Sequence, residues 1–151
     1  MSAAHAPLES ISRAHGPCVG PIRCNPAIVA HDHPSALIID DNDDVREVLE
    51  YFVAVAGYTV TGARNGREAL EKLRSIHPCI ITLDLMMPDM TGVDFRHAQL
   101  ADERLRDVPV VVYSAAFNGA KTAARIGAVA FVEKSQSVND LLQVIRQYCL
   151  K

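Results

Sequence analysis

From Ala36 onward the chain alternates five times between a short apolar run and a stretch of helical periodicity. The runs are "ALIID", "YTVTGA", "CIITLD", "VPVVVYS" and "AVAFVE". Between and after them, 43–56 carries Val45, Val48, Leu49, Phe52, Val53 and Ala56 at helical spacing, and 66–76 carries Ala69, Leu70 and Leu73 on one face. Weaker patterns over 93–105 and 119–126 predict two more helices. A strong one over 138–150, with Val138, Leu141, Leu142 and Ile145, predicts the last. "IITL" and "VVVY" are continuous rather than alternating, which suits strands covered on both faces. The predicted fold is α/β, a doubly wound parallel sheet with helices on both sides.

Composition narrows the function classes. A chain of 151 residues with 49% hydrophobic and 22% charged residues is expected to form one domain with a substantial core. A net charge of −3 and no Lys/Arg stripe argue against direct nucleic-acid binding. No apolar run approaches the roughly 20 residues of a membrane helix, and "MSAAHAPLES" lacks the marks of a signal peptide. A cytoplasmic location is expected. Residues 1–35 hold five of the eight prolines and four of the six histidines without apolar periodicity, and are expected to be a disordered tail before a domain at 36–151. The cysteines form no framework: Cys79 and Cys149 sit in apolar patterns and read as small core residues. The gap between Cys18 and Cys24 does not match common zinc knuckles.

Ligands of a doubly wound sheet bind beyond the C-terminal strand ends. Here those ends carry Asp40 and Asp41, Asp84, Ser114, and Glu133 with Lys134. "LIIDDNDDVRE" packs four aspartates into five positions, and such neighbours raise one another's pKa unless something offsets them. A helix N-terminus, capped by Asn42 or Asp43, absorbs part of that charge. Three carboxylates in one pocket call for a hard divalent cation, and Mg²⁺ suits an incompletely filled oxygen shell. Lys134 adds a positive charge for an anion and Ser114 a hydroxyl donor, which together describe a phosphoryl-handling site. No hydrolytic triad is in view, since no histidine falls at a strand end.

"LIIDD", "LDLMMPDMTG", "VVYSA" and "FVEK", in this order, resemble the receiver domain of two-component response regulators, in its single-domain, chemotaxis-regulator-like form. The D-x-x-M-P turn over 84–88 is the most specific part. The resemblance implies a flavodoxin-like sheet of order 2-1-3-4-5. It implies that Asp84 accepts a phosphoryl group from a histidine kinase or histidine phosphotransfer protein. Asp41 would bind Mg²⁺ directly, Asp40 through water, and Met86 through its backbone carbonyl. Lys134 would contact the phosphoryl oxygens, and Ser114 with Phe131 would form the pair that reorients on phosphorylation. The chain would then be a phosphoacceptor rather than an enzyme, acting on a downstream protein target.

Some positions depart from the family pattern. Ser135 stands where a proline, usually in a cis bond, follows the lysine. Met86 and Ala116 occupy positions where polar side chains help place the hydrolytic water, so slow autodephosphorylation is expected. With no output domain after the last helix, output is expected through protein contact or phosphate relay, with a homodimer through that helix as an option. Two other readings remain at this point. One is a pseudo-receiver that binds a partner without phosphorylation; the other is a haloacid-dehalogenase-type phosphatase in which "DNDDV" supplies Asp41 as nucleophile.

Overall fold

Strands β1 (Ser35–Ile39), β3 (Ile80–Leu83) and β4 (Val110–Ser114) consist almost entirely of buried residues, which sets them at the centre of a sheet. The structure, a computed structural model, describes residues 33–149. β2 (Thr59–Ala63) and β5 (Ala130–Glu133) are only partly buried and form the edges. All pairings are parallel and the order is β2-β1-β3-β4-β5. The crossovers are α1 (Asp43–Val55), α2 (Gly66–Lys72), α3 (Gly92–Ala101) and α4 (Gly119–Arg125), and α5 (Val138–Cys149) follows β5. The flavodoxin-like doubly wound fold is as expected.

Side-chain alternation along the strands divides the core in two. Leu37, Ile39, Leu83 and Val112 face one side with Phe95 of α3 and Ala69 of α2. Ala36, Ile38, Val111 and Val132 face the other, against Leu49 and Val53 of α1 and Leu141 and Ile145 of α5. The expected apolar face of α1 is narrower than its sequence: Val48 and Phe52 remain exposed beside Tyr51 and Val55.

The starts of α1, α2 and α3 are set by side-chain caps. Asn42 Oδ1 accepts the Val45 N–H at 3.2 Å and Asn65 Oδ1 that of Glu68 at 2.8 Å. Thr91 and Asp94 form a reciprocal capping box at α3. Two helices stop short of the predicted ends. After Lys72 the backbone tightens, with Arg74 N–H donating to Glu71 and Ser75 N–H to Lys72, so 73–76 is a turn. After Ala101 the chain turns away because Gln99, buried, donates from Nε2 to the carbonyls of Leu105 (2.8 Å) and Val108 (3.0 Å).

One expectation is corrected. Cys79 and Cys149 are not independent core residues but a disulfide joining the residue before β3 to the end of α5. α5 runs back along the sheet, and that brings together two residues 70 positions apart. The strand pairing also begins one residue earlier than expected, at Ser35. The tail expected at 1–35 lies, apart from its last residues, outside the described residues. Among the described residues no helix is long and apolar enough to cross a membrane.

Candidate functional site

Parallel pairing brings the C-terminal ends of β1, β3, β4 and β5 to one edge of the sheet. The Asp84 N–H donates to the Ile39 carbonyl at 3.0 Å, placing Asp84 level with Asp40. The Lys134 N–H donates to the Ser114 carbonyl at 3.2 Å, aligning the far side of the site.

Asp84 is buried, at 3% exposure, and each of its oxygens is engaged. Oδ1 accepts from the Ser114 hydroxyl at 3.0 Å and from the Met86 N–H at 3.3 Å; Oδ2 accepts from Lys134 Nζ at 3.2 Å. Asp40 is equally buried. Its Oδ1 accepts the Asn42 N–H at 2.9 Å, and its Oδ2 lies 2.7 Å from Lys134 Nζ. Beyond that ion pair, Asp40 Oδ2 has no hydrogen-bond partner. Asp41 is exposed, yet one oxygen each from Asp40, Asp41 and Asp84 fall within 4.8 Å of one another.

Burial pushes the Asp40 carboxyl above its ordinary pKa and the Asp84 charge adds to that, against the opposing pull of Lys134 and the Asn42 N–H. For Lys134, burial alone would lower the ammonium pKa. The hydrogen bond to Asp40 and the charges of Asp84 and Asp40 outweigh it, so the net direction is upward. One lysine therefore serves two buried carboxylates, leaving excess negative charge at the site. A buried carboxylate oxygen held only by a shared lysine, within a cluster of three hard oxygen donors, fits a divalent cation.

The backbone around Asp84 is shaped for close approach. A Cβ at Gly92 would collide with the Asp84 carbonyl oxygen and sit 2.8 Å from the Leu85 Cα, so only glycine lets α3 start there. Asp89 occupies the left-handed region at φ 67°, which aspartate tolerates in a turn. A cavity of about 720 Å³ opens beside the carboxylate, lined by Met86, Thr91, Ala116, Thr122 and Lys134 among others. The Met86 side chain is exposed and Ala116 half-buried. Phe131 is half-buried with its ring against Gly119, where a Cβ would stand 2.5 Å from the nearest ring carbon. The Lys134–Ser135 bond is trans.

The structure thus gathers Asp40, Asp41, Asp84, Ser114 and Lys134, with Met86 and Ala116 at the rim and Phe131 beneath α4. Arg46 is an addition that sequence reasoning did not single out. Its Nη1 donates to the Asp40 carbonyl at 2.9 Å, and its guanidinium pairs with Asp43 and, at 3.6 Å, with Glu50. Its place one turn into α1, beside the aspartate cluster, is the signal that could have found it.

A buried carboxylate flanked by an acidic pair, a hydroxyl and a lysine, at the strand ends of a 2-1-3-4-5 sheet, defines a signal-receiving domain. The chain belongs to the response regulator receiver domain family, matching it over residues 36–146, and so to the proteins of two-component signalling. It is 30% identical over 116 residues to the polar-differentiation response regulator DivK of Brucella ovis, covering 76% of this chain and 94% of that protein. It is 32% identical over 111 residues to the regulatory protein AtoC of Escherichia coli K12, covering 74% of this chain but 24% of AtoC. Among solved structures, chemotaxis protein CheY4 of Vibrio cholerae superposes with a TM-score of 0.71 at 26% identity, over 77% of this chain and 98% of CheY4. TrrA of Thermotoga maritima, in complex with Mg²⁺ and BeF, shares the fold with a TM-score of 0.69 at 24% identity, over 76% and 98% of the chains.

Proposed function

We propose that the protein is a Mg²⁺-dependent phosphoacceptor of a two-component relay, with Asp84 as the residue that takes the phosphoryl group. The observation carrying this reading is the engagement of Asp84: Oδ1 is held by Ser114 and Met86, and Oδ2 faces Lys134 and the acidic pair. Asp84 attacks phosphorus of a phosphohistidine on a histidine kinase or phosphotransfer protein, forming an acyl phosphate while the donor imidazole leaves. Mg²⁺, held by Asp40, Asp41, Asp84 and the Met86 backbone carbonyl, supplies charge neutralisation at the phosphoryl oxygens when bound. Lys134 moves from pairing two carboxylates to pairing the new anion, and the Ser114 hydroxyl donates to one of its oxygens.

The new group brings about −2 charge and three acceptor oxygens. It holds the Ser114 hydroxyl and the Phe131 ring inward, biasing the face of α4, β5 and α5 between two packings that a downstream target reads. The protein is an acceptor rather than a turnover enzyme, and a cytoplasmic location agrees with donors of this class. That TrrA, which shares the fold, is found in complex with Mg²⁺ and BeF supports a Mg²⁺-dependent reading.

Intact mass after incubation with acetyl phosphate and Mg²⁺ is expected to show a gain of one phosphoryl group, absent in Asp84→Asn. No gain despite demonstrated Mg²⁺ binding would shift the assignment to a pseudo-receiver. The apolar Met86 side chain and small Ala116 cannot position a hydrolytic water, so decay after donor removal is expected to be slow. Met86→Asn combined with Ala116→Glu is expected to accelerate it by roughly the tenfold or more that a positioned polar group contributes. An unchanged decay would sever that link.

A further inference from the structure

We propose that the Cys79–Cys149 pair is a thiol–disulfide exchange site at which a dithiol reductant releases the last turn of α5 from the sheet. The two Cα atoms are 5.3 Å apart, and both residues are half-buried rather than sealed in the core. Cys79 lines a cleft of about 500 Å³ at the end of the sheet away from Asp84, so a reductant can approach its sulfur. Arg96 and Arg106 line the same cleft with Asp107, and Arg106 also pairs with Glu103 at 3.8 Å; a guanidinium close to the sulfur favours a thiolate over a thiol.

Both redox states have a place in the structure. Cys79 Sγ lies 3.1 Å from the Ser35 carbonyl oxygen, which already accepts the Cys79 N–H at 2.7 Å. A disulfide sulfur has no hydrogen to donate, whereas a thiol does, so reduction gives Cys79 a ready acceptor on β1. Once the bond is broken, Cys149 keeps only partly buried packing at the rim of the core beneath α5. It is the last described residue of a helix whose buried anchors, Leu141, Leu142 and Ile145, all lie at least a turn earlier.

The exchange balances as follows. A thiolate of the reductant attacks Cys79 Sγ, the S–S bond breaks, and Cys149 leaves as a thiolate that takes up a proton. The reductant's second thiolate then attacks its own sulfur in the mixed disulfide, expelling the Cys79 thiolate, which is protonated in turn. Two electrons pass to the cysteine pair and the reductant ends as a disulfide. The reverse requires a disulfide oxidant such as oxidised glutathione. The consequence for signalling rests on the reading of α5 as part of the switching face: reduction loosens one end of that face without touching Asp84.

The test uses the full chain in a Cys18→Ser/Cys24→Ser background, so that a single pair reports. Native protein is treated with oxidised glutathione or with dithiothreitol, labelled with N-ethylmaleimide without denaturant, and mapped by peptide mass. Hydrogen exchange along α5 and acetyl phosphate uptake are followed in both forms, with Cys149→Ser as a permanently open control. The expected result is no label at 79 and 149 after oxidation and label at both after reduction. Exchange in 144–149 should rise severalfold, matching Cys149→Ser, at labelling times too short for the central strands to exchange in either form. A pair that never forms under oxidation, that resists dithiothreitol until denaturant is added, or whose reduction leaves 144–149 unchanged overturns the proposal. Failure of both forms to take up phosphate would instead overturn the phosphoacceptor reading, and the exchange result would stand apart from it.

Discussion

The two ends of this sheet solve opposite problems. At the N-terminal ends of the strands the chain is tied down: the disulfide fixes α5 to the start of β3, and buried Arg96 and Gln99 fasten loops from both sides of α3. Arg96 donates to the carbonyls of Ile126 (3.1 Å) and Gly127 (3.1 Å), holding the C-terminal end of α4, and to Gln99 Oε1 at 2.6 Å. Here the side-chain donors meet backbone acceptors. At the C-terminal ends the buried carboxylates of Asp40 and Asp84 share one lysine, which leaves them with excess negative charge. Under the proposed function the site captures a cation and an anion in turn, so it cannot be satisfied beforehand, and local stability is the expected cost.

That contrast can be broken at several points. The largest effect is expected from Cys79→Ser/Cys149→Ser. Opening a loop of 70 residues costs about 4 kcal/mol on chain-entropy grounds, read as a lower urea midpoint under oxidising conditions. If the double variant unfolds at the parent's midpoint, the tied-down end owes its stability to packing alone. Gln99→Leu comes next, at about 3 kcal/mol, because it strips the Leu105 and Val108 carbonyls of a donor and Arg96 of an acceptor in a buried setting. A loss below ~1 kcal/mol would mean that water replaces the amide.

The smallest effect has the opposite sign. In Mg²⁺-free buffer, Asp40→Asn is expected to raise stability at neutral pH while abolishing Mg²⁺-induced stabilisation. Because the folded-state pKa of Asp40 is raised, the native protein holds its proton more tightly than the unfolded chain does. The penalty of the charged form is therefore complete above the folded pKa and fades as pH falls toward the ordinary carboxylate value of about 3.9. The gap between variant and parent should close over the same range. A variant less stable than the parent at pH 7 would show that the Lys134 pair outweighs the burial of Asp40.

Legibility in the sequence followed the same divide. The functional end could be read because its residues fall at strand termini, and strand termini follow from apolar runs such as "IITL" and "VVVY". Asp40, Asp84, Ser114 and Lys134 each sit at the end of such a run. The Asn42 cap was visible for a similar reason, being a short polar side chain between a strand and a helical pattern. The tied-down end was not legible. Nothing in the local pattern of Cys79 or Cys149 names a partner 70 residues away, and both sit in runs that also suit small core residues. Nor does a helix period reveal that Gln99 will reach forward to Leu105 and Val108 and end α3 early. Pairings of that kind arise only once the layers are stacked.

Gly92 has a consequence for how this domain can change over generations. Because a β-carbon there would strike the Asp84 carbonyl, the residue is fixed by the Asp84 backbone. The segment from Asp84 to Gly92 is thus a spacer of set length, anchored at one end by the end of β3 and at the other by the helix it starts. Asp89 is constrained by its left-handed backbone, whereas substitutions at the exposed Met86 are open to drift. Insertions are not, since lengthening the spacer would pull α3 off the strand. Variation there is therefore channelled into side-chain swaps on a loop whose contour cannot be redrawn.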